Sequence, residues 1–241
     1  MDTLFLAAVF CVAVLSGATA ALVGFGIGSM LTPLLALRLG MDLAVAAVAI
    51  PHAIATALRC WRLRRSIDWS VLKGFGVLSA AGGLAGALVY TMLEAGVLKR
   101  VLGGLLVLTS VAQFSGLAER WHPRGLAVAL LGLGSGFFGG LAGNQGGLRA
   151  AALAAFSLSP LAFVATSTAT GLLVDAARAP VYSYTAGGKL AELWIPITVA
   201  TAGVTIGTIL GERVLLGMSR ERFRLLVAGA IGLLGVWLLF A

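Results

Sequence analysis

Apolar residues in this chain come in long runs rather than in alternation. Between charged residues the runs cover positions 4–22, 29–37, 43–58, 71–93 and 101–117, then a polar break at 119–124, then 126–141, 148–158, 161–177, 193–210 and 225–240. A membrane helix needs about 20 apolar residues, and most of these runs approach that length. Strands of a transmembrane barrel would alternate polar and apolar residues, and no such alternation is present. The pattern predicts an all-α, polytopic membrane bundle. The first run ends in Ala18-Thr19-Ala20, which resembles a signal-peptidase site, but Met1-Asp2-Thr3 supplies no basic leader and the run is long for one. It reads as a retained helix.

The order of runs repeats. A shift of 119 residues lays Gly24 and Gly28 on Gly143 and Gly147, and Arg59 on Arg178, with 10 identities over positions 20–59. Gly82-Gly83-Leu84-Ala85-Gly86 faces Gly203-Val204-Thr205-Ile206-Gly207 at a shift of 121. This predicts one integral membrane domain made of a first repeat at 1–118, a central loop at 119–124 and a second repeat at 125–241. With about five segments per half, the halves point in opposite directions. Placing the N-terminus outside puts 11 of the 17 basic residues in cytoplasmic loops, in agreement with the positive-inside rule. Inverted repeats are therefore expected, with the short runs after the glycine-rich breaks either crossing or re-entrant.

Composition supports a bilayer protein. Of 241 residues, 60% are hydrophobic and 11% charged, with a mean hydropathy of +1.04. Little chain is left for a soluble domain. The net charge of +8 gathers at segment ends, where topology uses it, so nucleic acid is not an expected partner. Cys11 and Cys60 form no CxxC pair. No metal or cofactor is expected. The 33 glycines include Gly82xxxGly86, Gly132xxxGly136xxxGly140 and Gly203xxxGly207xxxGly211, which read as close helix contacts.

Two other glycine groups carry chemistry. Gly24-Phe25-Gly26-Ile27-Gly28 and Gly143-Asn144-Gln145-Gly146-Gly147 interrupt the two halves at matching places. Such breaks leave backbone N–H groups without helical partners, and the short helices that follow aim positive dipole ends at one place, suited to an oxyanion. Expected substrate-binding residues are Gly24, Phe25, Gly26, Gly28, Gly143, Asn144, Gln145, Gly146, Gly147 and Arg149, whose guanidinium suits sulfonate, sulfate or carboxylate. Ionisable groups at membrane depth cost about 2.5 to 3.5 kcal/mol or more. His52, Arg59, Thr166, Thr168, Asp175 and Arg178 are accordingly candidates for gating or coupling. Each also has a structural reading: Asp175 and Arg178 neutralise each other one turn apart, His52 packs, and the hydroxyls bond backbone carbonyls.

These glycine motifs, with Pro33, the overall length and the duplicated layout, resemble the TauE/SafE sulfite exporter family of bacterial inner-membrane permeases. The resemblance implies secondary transport of sulfite, a sulfonate such as sulfoacetate, or another sulfur-containing or organic anion. Expected partners are that anion and the lipid bilayer; a coupling proton or Na⁺ and self-association are left open. Asn144 and Gln145 depart from the usual glycine run. The competing readings are a passive anion channel and an intramembrane enzyme. The latter would need a catalytic constellation, and His52 and Asp175 lie in different halves without motif context.

Overall fold

The computed structural model describes residues 2–116, 123–144, 146–214 and 220–240. Among them the chain is helical and without strands. Ten helices follow in order: α1 Thr3–Val23, α2 Ile27–Leu39, α3 Met41–Leu63, α4 Trp69–Tyr90, α5 Ala95–Phe114, α6 Leu126–Ala142, α7 Gly146–Leu153, α8 Pro160–Glu192, α9 Trp194–Val214 and α10 Arg220–Phe240. Six of the helical stretches, those of α1, α3, α4, α5, α8 and α9, are long and apolar enough to cross a membrane.

Local chemistry sets the ends. Asp2 caps α1 by accepting a hydrogen bond from the Phe5 N–H at 2.7 Å, and α1 stops where Gly24 turns left-handed at φ 84°. Asp68 caps α4, accepting from Ser70 and Val71 at 3.0 Å; the Val71 N–H above all holds its carboxyl below the usual range. Residues Leu72–Gly76 of α4 form a π turn. Ser159 caps α8 ahead of Pro160, whose missing N–H is harmless in a first turn.

Two lengths depart from the apolar runs. The run at 161–177 becomes the 33-residue α8; Asp175 within the run and Arg178 just after it satisfy each other, so the charges do not stop the helix. The run at 148–158 shrinks to the eight-residue α7. At 1.5 Å per residue, α2 and α7 are about 20 Å and about 12 Å long, short of a hydrocarbon core of about 30 Å. Each therefore has an end inside the protein: α2 begins there and α7 stops there.

Packing pairs each half with the other. The closest seams join α1 to α9 and α4 to α6, and a third joins α5 to α10. Exchanging the halves turns the first seam into the second and leaves the third unchanged. Glycine makes each of them. A Cβ at Gly82 or Gly86 of α4 would strike the carbonyls of Leu133 or Phe137, and one at Gly136 or Gly140 of α6 those of Ser79 or Gly83. In the other seam, Gly207 lies on the Val14 carbonyl and Gly17 on that of Val204. The glycine spacings predicted as helix contacts thus serve as helix contacts. Gly103 and Gly235 likewise meet across α5 and α10.

Candidate anion-binding site

The two glycine breaks meet. A Cβ on Gly28 would strike the carbonyl oxygen of Gly143, and one on Gly146 would strike the Phe25 ring. The Ser29 hydroxyl donates to Asn144 Oδ1 at 3.2 Å. Gly24, Gly26 and Gly143 all have positive φ, which only glycine adopts cheaply, so each chain reverses tightly enough for the tips to touch. The first break is reached from α1 and returns as α2, and Asp2 pairs with Arg38 at 3.0 Å where the hairpin's two ends come together.

Helices α3 and α8 cross this meeting point antiparallel. Arg59 Nε donates to Thr168 Oγ1 at 2.9 Å, and His52 Nδ1 lies 2.7 Å from Asp175 Oδ2. The two rungs are seven residues apart on both helices, about 10 Å. Between them, Arg149 of α7 donates from Nε to Ser167 Oγ at 3.0 Å and from Nη2 to the Gly24 carbonyl at 3.4 Å. Neighbouring hydroxyls, Ser167 and Thr168, thus hold two guanidinium groups by their Nε atoms. Each guanidinium keeps a buried Nη1 with no hydrogen-bond partner, as do Asn144 Nδ2 and the hydroxyls of Thr32, Thr56, Thr170 and Thr208. Buried donors without acceptors are costly, and an oxyanion supplies acceptors.

Charge points the same way. Arg59, Arg149 and Arg178 are buried, and Asp175 is the one buried carboxylate among the described residues. Asp175 is already committed: its Oδ1 accepts from Arg178 Nε at 3.1 Å and Nη2 at 2.7 Å, and its Oδ2 faces His52. Arg178 also donates to the Gly139 carbonyl at 2.6 Å. Among the described residues, Arg59 and Arg149 are left without a counter-ion, an arrangement several kcal/mol unfavourable unless an anion joins them.

A cavity of about 270 Å³ leads toward Arg59, lined by Ala21, Arg62, Pro160, Val164 and Thr208 among others. At the other end of α3 a second cavity of about 370 Å³ is lined by Pro33, Gly40, Met41, Ala95 and Lys99 among others, and beside it two tyrosines pack between the helices. There Tyr182 donates to the Gly140 carbonyl, its ring meets that of Tyr90 at 5.0 Å, and Tyr90 donates to the Asp42 carbonyl at 2.7 Å.

A family model described as Sulfite exporter TauE/SafE matches residues 9–238. The chain belongs to the TauE/SafE sulfite exporter family. It is therefore a membrane protein of the anion- or sulfite-exporter type, in a family of transporters rather than enzymes. No curated protein and no solved structure matches it.

In this TauE/SafE chain the residues expected at the site fall into two groups. Gly24, Phe25, Gly26, Gly28, Gly143, Asn144, Gly146 and Arg149 converge at the meeting of the breaks, while Gly147 packs on the Thr109 side chain. Gln145 lies outside the described residues. Of the other candidates, Arg59 and Thr168 join the site, whereas Thr166 accepts from the Asp68 N–H at 3.0 Å and ties the segment before α4 to α8. His52 and Asp175, unconnected in sequence, are direct partners. Sequence reasoning passed over Ser29, Thr32, Thr56 and Tyr182. A signal existed for three of them: Ser29 and Thr32 recur at a helical spacing within an apolar run, and Thr56 shares one face of α3 with His52 and Arg59.

Proposed function

We propose that this protein carries a small oxyanion, such as sulfite, sulfoacetate or another sulfur-containing or organic anion, across the bacterial inner membrane by alternating access. Arg59 and Arg149 bind it, with the hairpin tips at Gly24–Gly28 and Gly143–Gly147 closing around it. The observation carrying this reading is the pair of buried guanidiniums, each held through Nε by adjacent hydroxyls and each keeping an unpartnered Nη1. Planar forks in that arrangement suit three-oxygen anions.

The antiparallel run of α3 and α8 and the exchange of seams between halves support inverted repeats. Arg62, Arg64 and Arg65 lie at the end of α3 beside the cavity, which supports a cytoplasmic opening. The tyrosine layer of Tyr90 and Tyr182 between the cavities at the two ends favours a carrier over a continuous channel.

Counterflow tests the reading. Proteoliposomes loaded with unlabelled anion should take up labelled anion faster than empty ones, with saturation. Flux that neither saturates nor responds to anion on the far side would sink alternating access. Running sulfite, sulfoacetate, taurine and thiosulfate side by side identifies the cargo.

A further inference from the structure

The anion site leaves one buried titratable pair unused. His52 Nδ1 lies 2.7 Å from Asp175 Oδ2, with side-chain exposures of 11% and 2%, and neither residue touches the Arg59–Thr168 or Arg149–Ser167 contacts. With Asp175 ionised against Arg178, Nδ1 carries the hydrogen in that contact, and Nε2 of the neutral ring is the position that accepts a further proton. Resting on the transport reading above, we infer that His52 is the proton-coupling residue of this carrier, so that one proton travels with each anion.

The coupling follows from the charges that face His52. Asp175 and Arg178 come from α8 and Arg149 from α7, and Arg59 lies seven residues along its own helix. Among the described residues, the other helices packed on α3 add none. Arg38 of α2 is exposed and paired with Asp2, Lys99 of α5 lies over Trp237, Arg100 is exposed, and α9 as far as Gly211 carries no charged side chain. An empty site therefore leaves His52 beside surplus positive charge. An anion on Arg59 and Arg149 removes that repulsion and favours the proton, by about tenfold per charge at about 10 Å. Reciprocity requires the proton to favour the anion equally.

The path between the two positions is polar. Thr56, one turn from His52 on the face it shares with Arg59, and Thr170 of α8 both bury hydroxyls without partners, the kind of lining that holds water. The proton enters on Nε2 while the anion is bound and leaves from the same atom once the anion has gone; no bond between heavy atoms changes.

The test uses the full chain in proteoliposomes with the membrane potential clamped at zero. The probe is labelled sulfoacetate, fully ionised from about pH 6 to about pH 8. An acid exterior one pH unit below the lumen should drive wild-type accumulation to about tenfold, with acidification of a trapped pH dye when anion is added. His52→Gln should keep counterflow and lose both responses. Counterflow in the wild type without any response to the gradient overturns the proton proposal alone. So does a His52→Gln protein that still accumulates like the wild type. Absence of counterflow in the wild type is a different result, which removes the transport reading for sulfoacetate and the coupling with it. A wild type without the dye signal refutes the coupling by itself, whether or not the variant folds, and His52→Asn supplies a second test of the residue if His52→Gln does not fold.

Discussion

At the scale of single residues, two arginines that align when the halves are overlaid sit in different surroundings. Arg59 and Arg178 occupy matching places in the two halves, but the position three residues earlier is Thr56 in one and Asp175 in the other. Arg178 is thereby neutralised and fastened to the Gly139 carbonyl, whereas Arg59 bonds only the Thr168 hydroxyl among the described residues. Arg178→Ala should act on folding: it strands a buried carboxylate, and a loss of about 3 to 5 kcal/mol should appear as a marked fall in Tm. Arg59→Ala and Arg149→Ala should act on transport. Each removes a charged hydrogen-bond donor worth about 1.5 to 3 kcal/mol, so uptake at low anion concentration should fall about 10- to 100-fold while Tm holds or rises. If both variants transport normally, the site lies elsewhere. Arg149→Lys should recover little, since an ammonium cannot bond Ser167 and Gly24 together and still offer a fork. Sequence alone singled out Arg149 as a candidate ligand and read Asp175 and Arg178 as neutralising each other, which they do. It missed His52–Asp175 and Ser29–Asn144, whose partners are 123 and 115 residues apart and which leave no local spacing to read.

At the scale of elements, helix identity was legible because a bilayer demands it: every long apolar run became a helix. Lengths were less so where charges pair internally, as in α8, or where a short helix ends inside the protein, as in α7. The glycine spacings read correctly as seams, and a comparison within one residue type tests them. Gly136→Ala and Gly207→Ala put a methyl group onto the carbonyls of Ser79 and Val14 and should lower Tm by several degrees. Gly187→Ala in α8 and Gly104→Ala in α5 meet nothing within 4 Å and should be neutral or stabilising by about 0.5 to 1 kcal/mol. Equal thermal shifts in all four would mean that these glycines do not set the seams.

For the whole molecule, the proposed carrier cycle requires the cavity at the Arg62 end to be shut off from the far side by the Tyr90–Tyr182 layer. Val164 lines the cavity. In a background with Cys11 and Cys60 replaced by serine, Val164→Cys should react with a membrane-impermeant maleimide from the Arg62 side only, and more slowly with anion bound. Labelling from both sides at equal rates would contradict a carrier with one gate shut.

The seams also have a consequence for how the protein is made. The glycine face of α1 is matched by α9 and that of α4 by α6, so a nascent first half sits in the bilayer with both faces bare until the second half has been inserted. Neither half should assemble alone. Two fragments cut within 117–122 should instead be degraded when expressed singly and recover transport when expressed together, the later fragment acting as the template on which the earlier one completes its fold.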